Sequence, residues 1–377
     1  MKDFVCVDAG ASNTRYTSNS GKISTLPNNM VFISEDTVVD LEPYSNEFED
    51  GLDVTIECNN GSEFFPVRAL IGQMAQRYSS TNTKPSVLTN KHTQRINYVS
   101  SIVAIALSKY RNNLSNNISF YLALPPIEVK SAKEVVKNNL IGEYTVTFNK
   151  LDNLQINFTI DEVNVYEESF MALLSYFFEN GMLREKAKKF SKGTVLSMDI
   201  GASTTDLAVV QDMRYLEKSG QTYKTGGNIA RDYLTDYIRG EYGFDAPPEV
   251  AETVMAEGRI QWGADYKDCS EAVKEAKQEF ASQIVEQIQG YFRKINIPIN
   301  TIRAIIVSGG GSLPSQYVDE DGNEVVTSEP ISYYITKELN KVCQGIMVEQ
   351  CDNPRLANIS GLFTRANVDI HKRDNVK

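Results

Sequence analysis

The sequence is poor in the residues on which many metal sites and nucleophilic sites depend. Its 377 residues include only two histidines, His92 and His371, which excludes a three-histidine metal site and disfavours a histidine-dependent catalytic triad. The five cysteines are scattered, and none has the paired spacing of a zinc site. We expect them to be reduced thiols in a cytoplasmic protein. The chemistry must therefore depend on carboxylates, backbone amides and a bound cation.

Long apolar runs and an excess of basic charge are also missing. No run approaches the roughly 18 apolar residues of a membrane span, and the segment Met1–Asp8 lacks the apolar region of a signal peptide. The formal net charge is −11, whereas binding of nucleic acid requires clustered lysine and arginine. We therefore expect no membrane contact and no direct binding of nucleic acid. Apolar residues make up 41% and charged residues 23%, as in folded proteins, and the length allows two domains.

An internal repeat is the most informative feature that is present. Val5–Thr14 reads VCVDAGASNT, and Leu196–Thr205 reads LSMDIGASTT. Each copy is an apolar run followed by Asp, any residue, Gly-Ala-Ser, any residue and Thr. We interpret each copy as a β-hairpin whose tight turn contains the small residues.

The residues of this turn suit a phosphate group. Glycine permits close approach of the backbone, and successive backbone N–H groups can form a concavity that binds phosphate oxygens. The leading aspartates, Asp8 and Asp199, would repel phosphate directly. A cation must then lie beside each of them, and Mg²⁺ held partly through water is the natural one.

A third glycine cluster follows an apolar strand at Ala304–Ser312. Its three glycines would let the backbone lie flat against a planar ligand such as a purine nucleoside. The chain contains neither a P-loop nor a G-x-G-x-x-G fingerprint. A Walker-type ATPase and a Rossmann dehydrogenase are therefore both disfavoured.

Together these motifs resemble those of the actin, heat-shock chaperone and sugar kinase superfamily. The two hairpins resemble its phosphate 1 and phosphate 2 motifs, and Val307–Ser312 resembles its adenosine motif. Val165–Ala172 resembles the connect 1 helix, and Asn353–Leu362 resembles connect 2. The resemblance implies an α/β protein with the two-domain actin-like (ribonuclease H-like) ATPase fold and a nucleotide in the interdomain cleft.

Within this superfamily, the chain is most similar to the bacterial plasmid-segregation actins of the ParM/StbA group. Glu167-Glu168-Ser169 stands where that group has Pro-Glu-Ser, and Asp206 follows Asp199 at the group's spacing. Arg15 stands where the group usually has lysine, and it supplies the same charge. The first loop matches in register at Asp8, Gly10, Ser12, Asn13 and Arg15.

The resemblance implies a role for each residue of the two hairpins. Asp8 and Asp199 would hold Mg²⁺, largely through water. Glu168 would orient or deprotonate the attacking water with support from Asp206, so that the catalytic set is Glu168, Asp206 and Asp199. The phosphates of ATP, or of GTP, would be bound by Gly10, Ala11, Ser12, Asn13 and Arg15 of the first hairpin and by Gly201, Ala202, Ser203 and Thr204 of the second.

Three further segments are expected to border the nucleoside. They are the turn in Tyr223–Leu234, the charged helix Cys269–Phe280 and the third glycine cluster. The implied contacts are Gly226, Gly227, Asn228, Lys274, Glu275, Lys277, Gly309, Gly310, Gly311 and Ser312.

Plainer interpretations stay open for several of these residues. Glu168 can be an acidic residue favoured at a helix start by the helix dipole, and Asp206 can be an exposed charge on a strand. The Gly226-Gly227 pair can be an ordinary loop before a helix, and the charges of Cys269–Phe280 can form a solvated face.

The expected domain I covers residues 1–165 and 345–377, with a variable small subdomain at about 27–95. The expected domain II covers residues 166–344, with a small subdomain at about 215–270. A heat-shock chaperone would need a separate substrate-binding domain after the ATPase core, and the chain ends before one.

We therefore expect a nucleotide-dependent filament-forming ATPase that polymerises with itself and segregates plasmid DNA through a DNA-binding adaptor of the ParR type. The main alternative is a sugar or acetate kinase of the same fold, for which Asp161 or Asp232 could be the catalytic aspartate. Another is a cytoskeletal actin of the rod-shape type, although no amphipathic membrane-binding N-terminus is evident.

Overall fold

The computed structural model describes residues 2–10, 13–40, 51–78, 90–179 and 181–374. Its chain divides into two compact units, Met1–Met182 with Asn358–Lys377, and Leu183–Ala357. Each unit is built on one mixed sheet with helices packed against it. Within the described ranges, no helix combines the length and the apolar character that crossing a membrane would require.

A nine-stranded sheet forms the centre of the first unit. Its strands run in the spatial order β3-β2-β1-β7-β9-β8-β5-β6-β4. The pairs β1 with β7 and β7 with β9 are parallel, and the others are antiparallel. The strands are β1 (Asp3–Ala9), β2 (Asn13–Ser18), β3 (Ser24–Pro27), β4 (Met30–Ile33), β5 (Gly51–Cys58), β6 (Val67–Gly72), β7 (Asn117–Leu124), β8 (Gly142–Phe148) and β9 (Leu154–Glu167).

Helices cover both faces of this sheet because the strands at its centre are apolar on both sides. Val5 and Val7 of β1 belong to the same buried cluster as one helix, α2, whereas Phe4 contacts Phe363 of the C-terminal helix, α10. The helices of the unit are α1 (Gln73–Tyr78), α2 (Arg95–Asn112), α3 (Pro126–Leu140), α4 (Glu168–Phe177) and α10 (Ala357–Asp374). A 3₁₀ turn, Lys91–Thr93, precedes α2, and a short ribbon of β10 (Phe178–Glu179) and β11 (Met182–Leu183) follows α4.

The second unit contains a six-stranded sheet with the order β14-β13-β12-β18-β21, in which β15 also pairs with β13. Its strands are β12 (Thr194–Ile200), β13 (Thr205–Gln211), β14 (Arg214–Tyr215), β15 (Gln221–Tyr223), β18 (Ile302–Ser308) and β21 (Met347–Gln350). Two separate ribbons consist of β16 (Arg259–Trp262) with β17 (Asp265–Asp268), and of β19 (Ser315–Val318) with β20 (Glu324–Ser328).

The helices of the second unit bury one apolar face against its sheet. On α8, buried residues recur every three or four positions, which is the spacing of an amphipathic helix; they include Val273, Ala276, Phe280, Ile284 and Ile288. The helices are α5 (Glu185–Lys188), α6 (Asn228–Tyr242), α7 (Pro248–Glu257), α8 (Ser270–Ile295) and α9 (Ile331–Val342), and 3₁₀ turns lie at Ile299–Thr301, Gly310–Ser312 and Pro354–Leu356.

The two compact units change over after Met182 and after Ala357, and the expected domain limits at 165/166 and 344/345 stay predictions. The first unit extends to Met182 because β9 continues to Glu167 and α4 packs against β7 and β9. The second unit extends to Ala357 because β21 pairs in parallel with β18. Residues 27–95 supply β4, β5, β6 and α1 at one edge of the large sheet, and the two small subdomains stay predictions.

Candidate functional site

Both copies of the repeat form the predicted β-hairpin. In the first turn, the Gly10 N–H donates to the Asn13 carbonyl at 3.0 Å, and in the second the Gly201 N–H donates to the Thr204 carbonyl at 2.9 Å. Each leading strand also pairs in parallel with the next central strand, β1 with β7 and β12 with β18. The sequence repeat is therefore a structural repeat. Ala11 and Ser12 lie outside the described residues.

The first hairpin pairs an acidic residue with a basic one. Asp8 is buried and faces Arg15 across the ladder, with 3.7 Å between Arg15 Nη1 and Asp8 Oδ2. The buried Asn28 braces the turn, because its Nδ2 donates to the Gly10 carbonyl at 2.5 Å and its Oδ1 accepts from Thr14 Oγ1 at 2.7 Å. Sequence reasoning missed Asn28, since no motif links it to the hairpin.

The second hairpin places two carboxylates at facing positions. Asp199 and Asp206 are ladder partners, and both are buried. Asp199 Oδ1 accepts from Ser308 Oγ at 3.1 Å, and Asp206 Oδ1 accepts from Thr222 Oγ1 at 2.6 Å. The interpretation of Asp206 as an exposed charge is therefore wrong. Like charges at facing positions repel, and this arrangement favours a nearby cation.

The segment Gly226–Asn228 packs directly on the second turn. The Gly227 N–H donates to the Gly201 carbonyl at 3.0 Å, and the Asn228 N–H donates to the Ala202 carbonyl at 2.7 Å. A Cβ on Gly226 would lie 2.6 Å from the Ala202 carbonyl oxygen, so this close approach requires glycine. The Asn228 Nδ2 also donates to Ser203 Oγ at 3.1 Å. The glycine pair is thus part of the hairpin's surroundings rather than an ordinary loop.

The third glycine cluster reaches the same turn from β18. Gly309 has φ +88°, and a Cβ there would lie 2.2 Å from the Ile200 carbonyl oxygen. A Cβ on Gly311 would lie 2.8 Å from Ile200 Cγ2. Gly310 lies within this short turn beside Arg355, and the buried Ser312 donates through Oγ to the Gly309 carbonyl at 2.7 Å. Three segments that are far apart in sequence therefore form one glycine-lined surface beside Asp199.

The charged residues of α8 divide into two groups. Lys277 is buried, and its Nζ donates to the carbonyls of Leu313 at 3.1 Å and Glu329 at 2.9 Å. Burial lowers the pKa of Lys277 to about 7. Lys274 pairs with Glu271, and Glu275 accepts from Tyr233 OH at 2.8 Å.

Lys274 and Glu275 line an open groove of about 830 Å³ that is formed by α8, α9 and β20. Their predicted contact with a nucleoside stays a prediction, as does that of Lys277. The ammonium of Lys277 ties α8 to the loop that follows the third glycine cluster.

Glu168 is the first residue of α4, in the first unit, and it is buried. Lys91 Nζ lies 2.5 Å from Glu168 Oε1. Sequence reasoning missed Lys91, because it lies in a polar stretch without a motif, 77 positions away. Glu168 therefore has a cationic partner in addition to its position at the start of a helix.

The two aspartates considered for a kinase lie in surface ion pairs. Lys2 Nζ is 2.7 Å from Asp161 Oδ1, and Arg231 Nη2 is 3.1 Å from Asp232 Oδ1. The two carboxylate side chains are 39% and 69% exposed, respectively.

Within the described ranges, no group of three or more His, Cys, Asp and Glu side chains is placed to hold a metal ion directly. The carboxylate of Asp199 next to a glycine-lined backbone nevertheless suits a hydrated Mg²⁺ that is shared with phosphate, because Mg²⁺ usually keeps several of its waters.

Comparison with known proteins addresses the fold. A family model described as the C-terminal part of the archaeal actin homologue MreB-like matches residues 197–317. No curated protein matches the chain. Among solved structures, the actin-like protein Alp7A superposes with a TM-score of 0.71 at 17% identity, covering 100% of this chain and 99% of that one.

Two ParM structures are also similar over nearly their whole length. ParM in a 15-stranded filament from Clostridium botulinum has a TM-score of 0.67 at 18% identity, with 97% of this chain and 99% of that chain covered. Bacillus thuringiensis ParM with ATP has a TM-score of 0.63 at 17% identity, with 98% and 99% covered. The recognition of an actin-like protein from its motifs is thereby confirmed: this chain has the two-domain α/β fold of actin-like proteins such as Alp7A and ParM.

Proposed function

We propose that this protein is a nucleotide-dependent ATPase that assembles into filaments and segregates plasmid DNA through an adaptor of the ParR type. The observation that carries the proposal is the glycine-lined surface of the second unit, where Gly201, Gly226 and Gly309 pack backbone against backbone beside Asp199. Such a surface would let phosphates and a nucleoside approach the main chain. Among proteins of this fold, one is described with ATP and another as a filament.

The residues of the second unit would bind and orient the nucleotide. In the Gly201–Thr204 turn, which the Gly201 N–H closes by donating to the Thr204 carbonyl, the remaining N–H groups would face phosphate oxygens. Gly309–Ser312 would lie against the nucleoside. Asp199 and, from the first hairpin, Asp8 would hold Mg²⁺ through water, and this ion supplies neutralisation of charge on the transferred phosphoryl group. Arg15 would add positive charge for the phosphates.

Hydrolysis would depend on Glu168 and Asp206. Glu168 is a buried acceptor at the start of α4, suited to orienting the attacking water. Asp206 would support this step through the negative charge that it adds opposite Asp199. Nucleotide binding would favour assembly, and hydrolysis would loosen the polymer.

Light scattering tests assembly directly. With ATP and Mg²⁺, scattering should rise above a critical protein concentration, EDTA should abolish the rise, and electron micrographs should show filaments. A parallel series with GTP establishes which nucleotide is used. A protein that stays monomeric at every concentration and phosphorylates a small alcohol would instead be a kinase.

Cosedimentation of plasmid DNA tests the adaptor. With its net charge of −11, the polymer alone should leave plasmid DNA in the supernatant, because it cannot neutralise phosphates. A DNA-binding adaptor should carry the DNA into the pellet. Sedimentation of DNA with the polymer alone would contradict the need for an adaptor.

A further inference from the structure

The 3₁₀ turn Lys91–Thr93 is held from α3 by one buried carboxylate. Glu128 accepts hydrogen bonds from the backbone N–H groups of Asn90, Lys91 and His92 at 3.0, 2.9 and 3.0 Å. Its Oε2 also lies 2.9 Å from His92 Nδ1. A carboxylate that accepts three backbone donors makes strong, charge-assisted hydrogen bonds. Glu128 therefore determines the position of this turn.

The same turn is held from α2 by two side chains. Asn97 Nδ2 donates to the Lys91 carbonyl at 3.0 Å, and Tyr98 OH donates to the His92 carbonyl at 2.8 Å. The backbone of Lys91 is thus fixed from both sides by helices that belong to the core of the first unit.

The anchored turn delivers a cation to Glu168. Lys91 Nζ lies 2.5 Å from Glu168 Oε1, and both side chains are largely buried, with 14% and 7% of their surface exposed. Burying an ion pair costs desolvation of both charges. The ion pair that carries this desolvation cost includes Glu168, the residue that we expect to orient the attacking water.

We propose that Lys91 is a positioning residue for Glu168, and that Glu128 sets its place by organising the turn that carries it. The ion pair stops rotation of the Glu168 carboxylate, so that its oxygens face the water in one orientation. This inference rests on the proposed ATPase function. It concerns orientation of Glu168 and not binding of nucleotide.

A double-mutant cycle of hydrolysis rates tests the inference. Lys91→Met keeps the length of the side chain and removes its charge, and it should lower kcat about 10- to 100-fold with less than a twofold change in KM. In a Glu168→Gln background the same substitution should lower kcat less than about twofold, because residues that act as a unit are not additive. Lys91→Arg should recover most of the rate.

Lys137→Met is the matched control, because Lys137 forms an ion pair with the exposed Glu134 on α3. It should leave kcat unchanged. Binding of a fluorescent ATP analogue and the Tm, measured for every variant, distinguish a folded protein from an unfolded one. If Lys91→Met does not fold, Glu128→Gln takes its place in the cycle, since it leaves Lys91 and Glu168 intact.

The possible outcomes separate the two proposals. A wild-type protein that hydrolyses no nucleotide overturns the proposed function. If the wild type is active, two outcomes overturn the positioning role alone. Either Lys91→Met lowers kcat by the same factor in both backgrounds, or it raises KM in place of lowering kcat. Loss of kcat that disappears in the Glu168→Gln background supports it.

Discussion

The two hairpins share the hydrogen bond that closes the turn and differ in the charge that faces the leading aspartate. Each turn is closed by one glycine N–H, and each leading aspartate faces a charged residue at the same ladder position. That residue is Arg15 in the first hairpin and Asp206 in the second. The first pair neutralises itself, whereas the second concentrates negative charge and depends on hydroxyl donors. The two copies of the repeat therefore share a sequence motif and differ in their local charge.

The hairpins also differ in how their turns are supported. The first turn is braced by a side chain, Asn28. The second is covered by backbone, with Gly226, Gly227 and Gly309 in contact with it. A side-chain brace tolerates change on the other side of the turn, whereas backbone packing leaves no room for a Cβ. At Gly226 and Gly309, the packing on the second hairpin therefore tolerates no side chain.

The largest effect is expected from a methyl group in the backbone-packed turn. In Gly309→Ala, the added Cβ would lie 2.2 Å from the Ile200 carbonyl oxygen, at a φ of +88°. We expect the free energy of unfolding to fall by about 3 kcal/mol or more, because strain and overpacking add. Urea unfolding of the nucleotide-free protein measures it.

Gly322→Ala is the control for that substitution. Gly322 has φ +83° and nothing within 4 Å of an added Cβ, so it reports backbone strain alone, about 1 to 2 kcal/mol. Equal losses at the two positions would show that the close contact at Gly309 relaxes without cost. The comparison between backbone support and side-chain support would then fail.

A pH-dependent effect is expected from Lys277, which ties α8 to the loop after Gly309–Ser312. Lysine in an unfolded chain keeps its proton to about pH 10, whereas burial lowers the pKa of Lys277 to about 7. Between these values the unfolded chain binds more protons than the folded one. The free energy of unfolding should therefore rise with pH across this window, by up to about 1.4 kcal/mol per pH unit.

Lys277→Met should remove this rise in the free energy of unfolding. Lys294→Met on the same helix should keep it, because the Nζ of Lys294 is exposed and donates to Gln221. Urea unfolding at several pH values from 6 to 10 compares the three proteins. Parallel curves for wild type and Lys277→Met would mean that Lys277 keeps its proton in the folded state throughout.

The smallest effects are expected from the charges that distinguish the hairpins. Without nucleotide, Arg15→Met should lower the free energy of unfolding by about 0.5 kcal/mol, because it leaves the buried Asp8 without its facing cation. Asp206→Asn should raise it by about 0.5 kcal/mol, since repulsion of Asp199 is relieved while Thr222 keeps an acceptor. Chemical unfolding in EDTA checks the signs. If both variants lose the same amount of unfolding free energy, the electrostatic difference between the two hairpins is contradicted.

Local pattern was sufficient to predict the two hairpins and the charged helix at Cys269–Phe280, which corresponds to the start of α8. The apolar run, the aspartate and the small turn residues lie within ten positions of one another, so their geometry is decided locally. The limits of the two compact units have no such local signal, because α4 joins its unit by packing against β7 and β9 and β21 joins by pairing with β18. Asn28 and Lys91 carried no local signal, because each acts on a residue far along the chain.

By itself the sequence determined that two acidic-glycine hairpins exist, that a third glycine cluster follows a buried strand, and that the chain has the actin-like fold. These properties depend on short-range patterns of apolar residues, glycine and aspartate. Only the tertiary structure decided that Asp206 is buried opposite Asp199, that Gly226–Asn228 and Gly309–Ser312 pack on the same turn, and that Lys91 reaches Glu168. Burial and long-range contact arise from the packing of whole elements, which no single segment encodes.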